Sequence, residues 1–198
     1  MGKNGALILA AGESSRLGQP KQLIQFRGKS LLHRIVDAAK KARCSPTVAV
    51  IGSDREQVVR ELKAEGAIIV KNKNWRRGIG TSICAGLRRL IDKAPTLEAV
   101  VLLVCDQPFV DARAIARLIR LREKTKRAIV ASRYANTLGV PALFDRSCFQ
   151  ELLALDNATG AKTVILSNRE RVAEFPFPEG KIDIDTASDY KKLRSRGR

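Results

Sequence analysis

Residues 6–22 read ALILAAGESSRLGQPKQ, an apolar run that breaks into a loop of small and polar residues. Ala6 to Ala10 are nearly uninterrupted apolar residues bounded by glycines, a pattern that suits a strand covered on both faces in a parallel sheet. In such sheets ligands bind beyond the carboxyl ends of the strands, so the loop 10–22 is the first place to look for chemistry. Ala10, Ala11 and Gly12 let backbone N–H groups come close to a phosphate, and Ser14, Ser15, Arg16 and Lys21 add side-chain donors and two positive charges. There is no GxGxxG here. The fragment GKS at 28–30 lacks the earlier glycine of a Walker A loop, since position 23 is Leu23.

Working outward, Ser30 stands where a helix cap belongs before Leu31, Leu32, Ile35, Val36 and Ala39, and TVAVI (47–51) reads as a second strand. Ser53 and Glu56 have capping-box spacing before Val58, Val59 and Leu62, Gly66 is a helix stop, and AIIV (67–70) is a third strand. Ile83, Leu87, Leu90 and Ile91 mark a helix closed by Pro95, after which AVVLLV (99–104) is the most apolar strand and is expected at the centre. Asp111 caps a helix over 112–122, AIVAS (128–132) and VPALF (140–144) read as strands, Asp145 starts a helix through Leu153, and Thr186 caps a last one. The alternation predicts one three-layer α/β/α domain over 1–198 with a mostly parallel sheet, its order broken in 128–144, and a flexible basic tail at 191–198.

With 198 residues, 44% of them hydrophobic, the chain can build one sizeable core but not two. No apolar run approaches the ~20 residues of a membrane-spanning helix, and ALILAA is too short for a signal peptide, so the expectation is a soluble cytoplasmic protein that does not engage membranes. The four cysteines, Cys44, Cys84, Cys105 and Cys148, form no CxxC pair, which argues against zinc or a dithiol site. The net charge of +17 would attract any polyanion. A nucleic-acid-binding or partner-docking module is therefore a rival to an enzyme, but with 5% aromatics the chain lacks an aromatic-studded strand for stacking bases.

Asp106 follows the most apolar strand and precedes a Gln-Pro break, and a carboxylate facing an anionic ligand there makes most sense with a cation between them. In IDID (182–185) an extended chain would turn Ile182 and Ile184 inward and put Asp183 and Asp185 on the other face. GIGTSI (78–83) can present Gly78, Thr81 and Ser82 at a helix start. Trp75 reads as packing, and His33, the only histidine, sits inside a helix, which disfavours Ser-His-Asp or Cys-His schemes.

LILAAGESSRLGQPKQL resembles the LxAGxSxRMGxxKxL signature of the MobA-like NTP transferases. Leu9, Ala10, Ala11, Gly12, Ser14, Arg16, Gly18 and Lys21 fall in register, with Leu17 in place of the usual Met. NKNWRRGIGTSICAGL (72–87), VCDQPFVD (104–111), YANTLGVPALF (134–144), GAK (160–162) and IDIDTASDY (182–190) are similar to segments of the molybdenum cofactor cytidylyltransferase branch. The resemblance implies a Rossmann-like, glycosyltransferase-A-type fold and transfer of CMP from CTP to a pterin phosphate with release of pyrophosphate. It implies nucleotide contacts from the first loop, Gly78 and Ser82, catalytic roles for Arg16, Lys21 and Asp106, and Mg²⁺ held by Asp106 and Asp185. Gln107, Pro108, Tyr134, Gly139 and Pro141 are the acceptor-side candidates, with a molybdoenzyme or its chaperone as candidate partner. CTP is preferred to GTP because guanylyltransferases usually show a GG pair in the first motif and Asn where this chain has Asp185. Guanylyl transfer to the same pterin and transfer to another phosphorylated acceptor are the enzyme alternatives.

Overall fold

The computed structural model describes residues 4–12, 17–52 and 56–195, apart from the side chain of Arg194. The expectations for Ser14, Ser15, Arg16 and Ser53 lie outside the described residues.

The expected first strand is present as β1 (Asn4–Ala10), whose residues alternate between the two cores: Ala6, Ile8 and Ala10 enter one, Leu7 and Leu9 the other. A small hairpin of β2 (Gln25–Phe26) and β3 (Lys29–Ser30) then leads into α1 (Leu31–Lys41). Ser30 caps α1 as expected, its hydroxyl accepting from the His33 N–H at 2.9 Å. The alternation continues through β4 (Thr47–Ile51), α2 (Glu56–Ala64), β5 (Ile68–Lys71), α3 (Ile79–Lys93), β6 (Ala99–Val104) and α4 (Ala112–Thr125). Gly66 ends α2 at φ +66°, and Asp111 caps α4 by accepting from the Ala114 N–H at 2.8 Å. After α4 come β7 (Ile129–Tyr134), β8 (Thr137–Asp145), α5 (Phe149–Leu153), α6 (Ala161–Ser167), β9 (Val172–Pro176) and α7 (Ala187–Ser195).

The seven-stranded sheet has the order β5-β4-β1-β6-β8-β7-β9, with β6 in the middle as expected. Only β8 runs against its neighbours, pairing antiparallel with both β6 and β7, which is the predicted break in alternation. From β1 the chain moves outward through β4 and β5, then returns to lay β6 on the other side of β1. The order thus reverses between β1 and β6, and the connections leaving their carboxyl ends run in opposite directions, the place where such sheets form a crevice. Helices α1, α2, α4 and α7 cover one face and α3, α5 and α6 the other, completing the three layers. Among the described residues no helix is long and apolar enough to cross a membrane.

α3 lies very close to the sheet because Gly86 has no side chain: a Cβ there would come 2.2 Å from Leu7 Cδ1 and 2.7 Å from Val50 Cγ2. Gly86→Val should therefore push α3 off β1 and β4 and lower stability by about 1–3 kcal/mol, read as a lower urea midpoint. An unchanged midpoint would contradict the close approach.

Candidate active site

Three segments far apart in sequence meet at the crevice. The loop after β1 is drawn back to its strand by Gln22, whose buried amide donates to the Ala10 carbonyl at 2.7 Å and so delivers Lys21 to the strand ends. The chain after β6 is held to β1 by the Cys105 N–H, which donates to the Leu9 carbonyl at 3.2 Å and places Asp106 at the mouth. The IDID segment then crosses over: the Ile184 N–H donates to the Asp106 carbonyl at 3.1 Å, and the Ile184 side chain is fully buried. Thr186 and Asp189 lock the exit of this segment, the Asp189 carboxylate accepting from the Thr186 N–H at 2.9 Å and hydroxyl at 2.7 Å while the Asp189 N–H donates back at 3.2 Å. Residues 182–185 form no strand, yet burial still alternates, with Ile184 inward and Asp183 and Asp185 outward.

The Lys21 ammonium donates to the Asp106 carboxylate and lies 3.4 Å from Asp185 Oδ1. Burial works to lower the Lys21 pKa, but the charges and hydrogen bonds of Asp106 and Asp185 outweigh it and raise it above the ordinary lysine value. Asp183 belongs to the same cluster. Withdrawal of its carboxyl group from water, followed by the charges of Asp106 and Asp185, pushes it up to about 6, although the residue as a whole is exposed.

This donor set fits a hard divalent cation. Asp106 and Asp185 already share one positive charge, and Mg²⁺ takes one or two carboxylates together with substrate phosphate oxygens. Among the described residues no group of three or more His, Cys, Asp or Glu is placed to hold a metal ion.

Above the cluster opens a cleft of about 370 Å³, lined by Leu9, Ala11, Gly12, Lys21, Trp75, Arg76, Ile79, Ser82, Val104 and Asp106. It gathers the expected loop residues, Ser82 and Asp106, and adds Trp75, Arg76, Ile79 and Val104, which the sequence did not assign to a site. Trp75 forms a wall rather than mere packing: its ring rests against Gly52, where a Cβ would fall 2.6 Å from the indole, and Arg76 lies over it with Cζ 5.0 Å from the ring centroid. The signal for both was their place just before GIGTSI, in the turn that leads into α3.

The start of α3 is less open than expected. The Gly78 N–H donates to the Trp75 carbonyl at 3.1 Å and the Gly80 N–H to Asn157 at 3.0 Å, while a Cβ on Gly78 would strike Asn157 O at 2.1 Å. Gly78 thus permits a close backbone crossing. Ser82 Oγ accepts from the Asn72 amide at 2.9 Å, which leaves the hydroxyl proton to donate into the cleft.

A second, mostly apolar cavity of about 220 Å³ adjoins the first, sharing Leu9, Ile79 and Val104 and lined further by Tyr134, Leu138, Gly139, Ala161 and Lys162. Tyr134 and Gly139, two of the acceptor-side candidates, are on its wall. A Cβ at Gly139 would sit 2.5 Å from the Tyr134 hydroxyl, so a side chain there would displace the phenol. Gln107, Pro108 and Pro141 are buried and line neither cavity. The Gln107 amide instead bridges the Val140 and Gly180 carbonyls at 3.1 and 2.8 Å, while the carbonyls of Pro108 and Pro141 accept from Arg34 at 3.3 Å and Ser132 at 2.6 Å. His33 is structural, its Nδ1 2.9 Å from the Glu65 carboxylate on the outer layer.

Comparison with known proteins gives the same picture of the domain. The MobA-like NTP transferase domain matches residues 6–172. The structure of Rv0371c from Mycobacterium tuberculosis H37Rv superposes with a TM-score of 0.82 at 30% identity, covering 97% of each chain. A complex of Rv0371c with manganese superposes at 0.77 and 27% identity, covering 97% of this chain and 98% of that one. The nicotine blue oxidoreductase of Paenarthrobacter nicotinovorans is 32% identical over 114 residues, 57% of this chain and 54% of that protein. The chain thus matches about half the length of that curated relative.

Trp75 is the only tryptophan and stands in the cleft wall. Filling the cleft with a nucleoside triphosphate and Mg²⁺ should change its emission saturably, and Lys21→Ala should weaken the response. Emission indifferent to nucleotide would remove the cleft as the binding site.

Proposed function

We propose that this chain, which belongs to the MobA-like NTP transferase family, transfers CMP from CTP to the phosphate of a molybdopterin-type acceptor and releases pyrophosphate. The observation that carries the reading is the cluster of Lys21, Asp106 and Asp185, whose Lys21 and Asp106 line a nucleotide-sized cleft that adjoins a second cavity through Leu9, Ile79 and Val104. The same cluster argues against a non-catalytic polyanion binder, because the Asp106 carboxylate in the cleft, with Asp185 and Asp183 close to it, would oppose phosphate unless a cation were engaged. The cytoplasm is the compartment we assign.

In this reading the triphosphate enters along the small-residue loop, where Ala11 and Gly12 allow close approach and Lys21, with Arg16, neutralises charge as pyrophosphate leaves. Asp106 and Asp185 would hold Mg²⁺, which when bound offsets negative charge on the phosphates. The lysine then moves its donor from carboxylate to phosphate. The acceptor needs no general base, since the second pKa of a phosphate monoester is about 6 and the dianion dominates at neutral pH. Catalysis is thus positioning and charge neutralisation. Ser82, donating its hydroxyl proton, would meet an acceptor atom of the base, and Tyr134 and Gly139 would border the ring system of the acceptor. The apolar lining of the second cavity also supports a less polar acceptor body, so the same transfer to another phosphorylated compound is the second reading.

The test is to supply molybdopterin, Mg²⁺ and each nucleoside triphosphate in turn and to measure pyrophosphate and the nucleotide product. CTP should be used in preference to GTP; a preference for GTP would make the protein a guanylyltransferase. Arg16→Ala and Lys21→Ala should each lower turnover about 10²–10³-fold, the scale for a positioned charge donor. Asp106→Asn and Asp185→Asn should abolish Mg²⁺-dependent turnover, and Asp183→Asn should cost less than Asp185→Asn. Full turnover in all of these variants would exclude the assigned site.

A further inference from the structure

A separate pocket of about 270 Å³ lies between α1 and the start of α4 and shares no lining residue with the cleft or the second cavity. Its charged walls are Lys29, Arg34, Lys41 and Arg113 against Asp37 and Asp111, four cations facing two carboxylates. Both carboxylates are already engaged. Asp37 accepts from Lys41 at 2.8 Å and lies 3.9 Å from Lys29, while Asp111 accepts the Ala114 N–H as the cap of α4. The cations are not equally satisfied. Arg34 Nε is buried and, among the described residues, has no hydrogen-bond partner. The Arg34 guanidinium is fixed over the Phe26 ring at 5.0 Å, with Arg27 on the same ring at 5.1 Å. Burial, then the charge of Arg27, lowers the Arg34 pKa below the ordinary arginine value. Two other surface clefts have no such surplus: one sets Lys181 and Lys192 against Asp183 and Asp189, another sets Arg122 and Lys126 against Glu98, Glu123 and Asp145.

From the surplus of cations and the size of the cavity, we infer that the α1–α4 pocket is a second anion site that binds a small multivalent phosphate such as pyrophosphate. An entering phosphate would accept from Arg34 and be held by Lys29, Lys41 and Arg113, relieving the repulsion between Arg27 and Arg34. The inference is independent of the reaction assigned to the cleft. Arg34 also donates to the Pro108 carbonyl at 3.3 Å, which ties this pocket residue to the chain two positions after Asp106.

Calorimetry on the full chain, with inorganic pyrophosphate and no divalent cation, tests this. The expected result is a binding event that Lys21→Gln leaves in place, that does not alter Trp75 emission, and that the double variant Lys41→Gln, Arg113→Gln weakens about tenfold or more, the scale of a lost charge-assisted hydrogen bond. Both substituted side chains are on the outer surface of long helices, so the fold should survive, and Arg34→Gln provides a third variant with the same expected loss. Undiminished affinity in the double variant and in Arg34→Gln, loss of all binding with Lys21→Gln, or no binding by the parent chain would each overturn the inference.

Discussion

One ammonium group shared by two carboxylates governs the architecture of the crevice. Lys21 is 85 residues from Asp106 and 164 from Asp185, and each arrives on a different segment. Partly buried charges are tolerated only when paired, and removing one partner leaves the others uncompensated. Lys21, Asp106 and Asp185 therefore constrain three segments at once: the loop after β1 must fold back, the chain must turn after β6, and the 182–185 segment must cross the strand ends. The backbone bond from Ile184 to Asp106 and the burial of Ile184 secure that crossing by apolar packing.

In the proposed reaction the arrangement would separate binding from chemistry. Trp75, Arg76 and Ser82 from the segment that enters α3 surround one cavity, Tyr134 and Gly139 from β7 and β8 border the other, and Lys21 and Asp106 of the charged cluster line the first. Two molecules held in adjoining cavities become neighbours in a fixed geometry, and this alone can supply a large part of a rate enhancement when both reactants are anions that would otherwise repel. The central sheet makes the geometry rigid: β1 and β6 are buried on both faces, and α3 is seated against β1 and β4 through Gly86.

The sequence disclosed the parts of the fold whose signals are local. Ser30, Gly66 and Asp111 act as caps and stops where their chemistry predicts, and the apolar runs at 6–10, 47–51 and 99–104 are buried strands. The strand β9 escaped because VAEFP has no clear period: Phe175 is buried, but Glu174 is spent on ion pairs with Arg133 and Arg169. The short helix α6 was visible only as GAK, since seven residues give too little periodicity. In the site, Lys21, Asp106 and Asp185 carried a charge signal that survived translation into space. Gln107, Pro108 and Pro141 did not, because motif proximity cannot distinguish a side chain that touches a ligand from one that braces the turn beneath it. Trp75 was missed for the converse reason. Its role depends on Gly52, 23 positions earlier, leaving room for the indole at the end of β4.

The measurement that bears most directly on the site is the anomalous diffraction of manganese in crystals grown with CTP. The account predicts one strong peak within coordination distance of both Asp106 and Asp185, with Lys21 turned from the carboxylates toward the triphosphate. Manganese bound elsewhere, with Lys21 still bridging the two aspartates and CTP in the cleft, would contradict it.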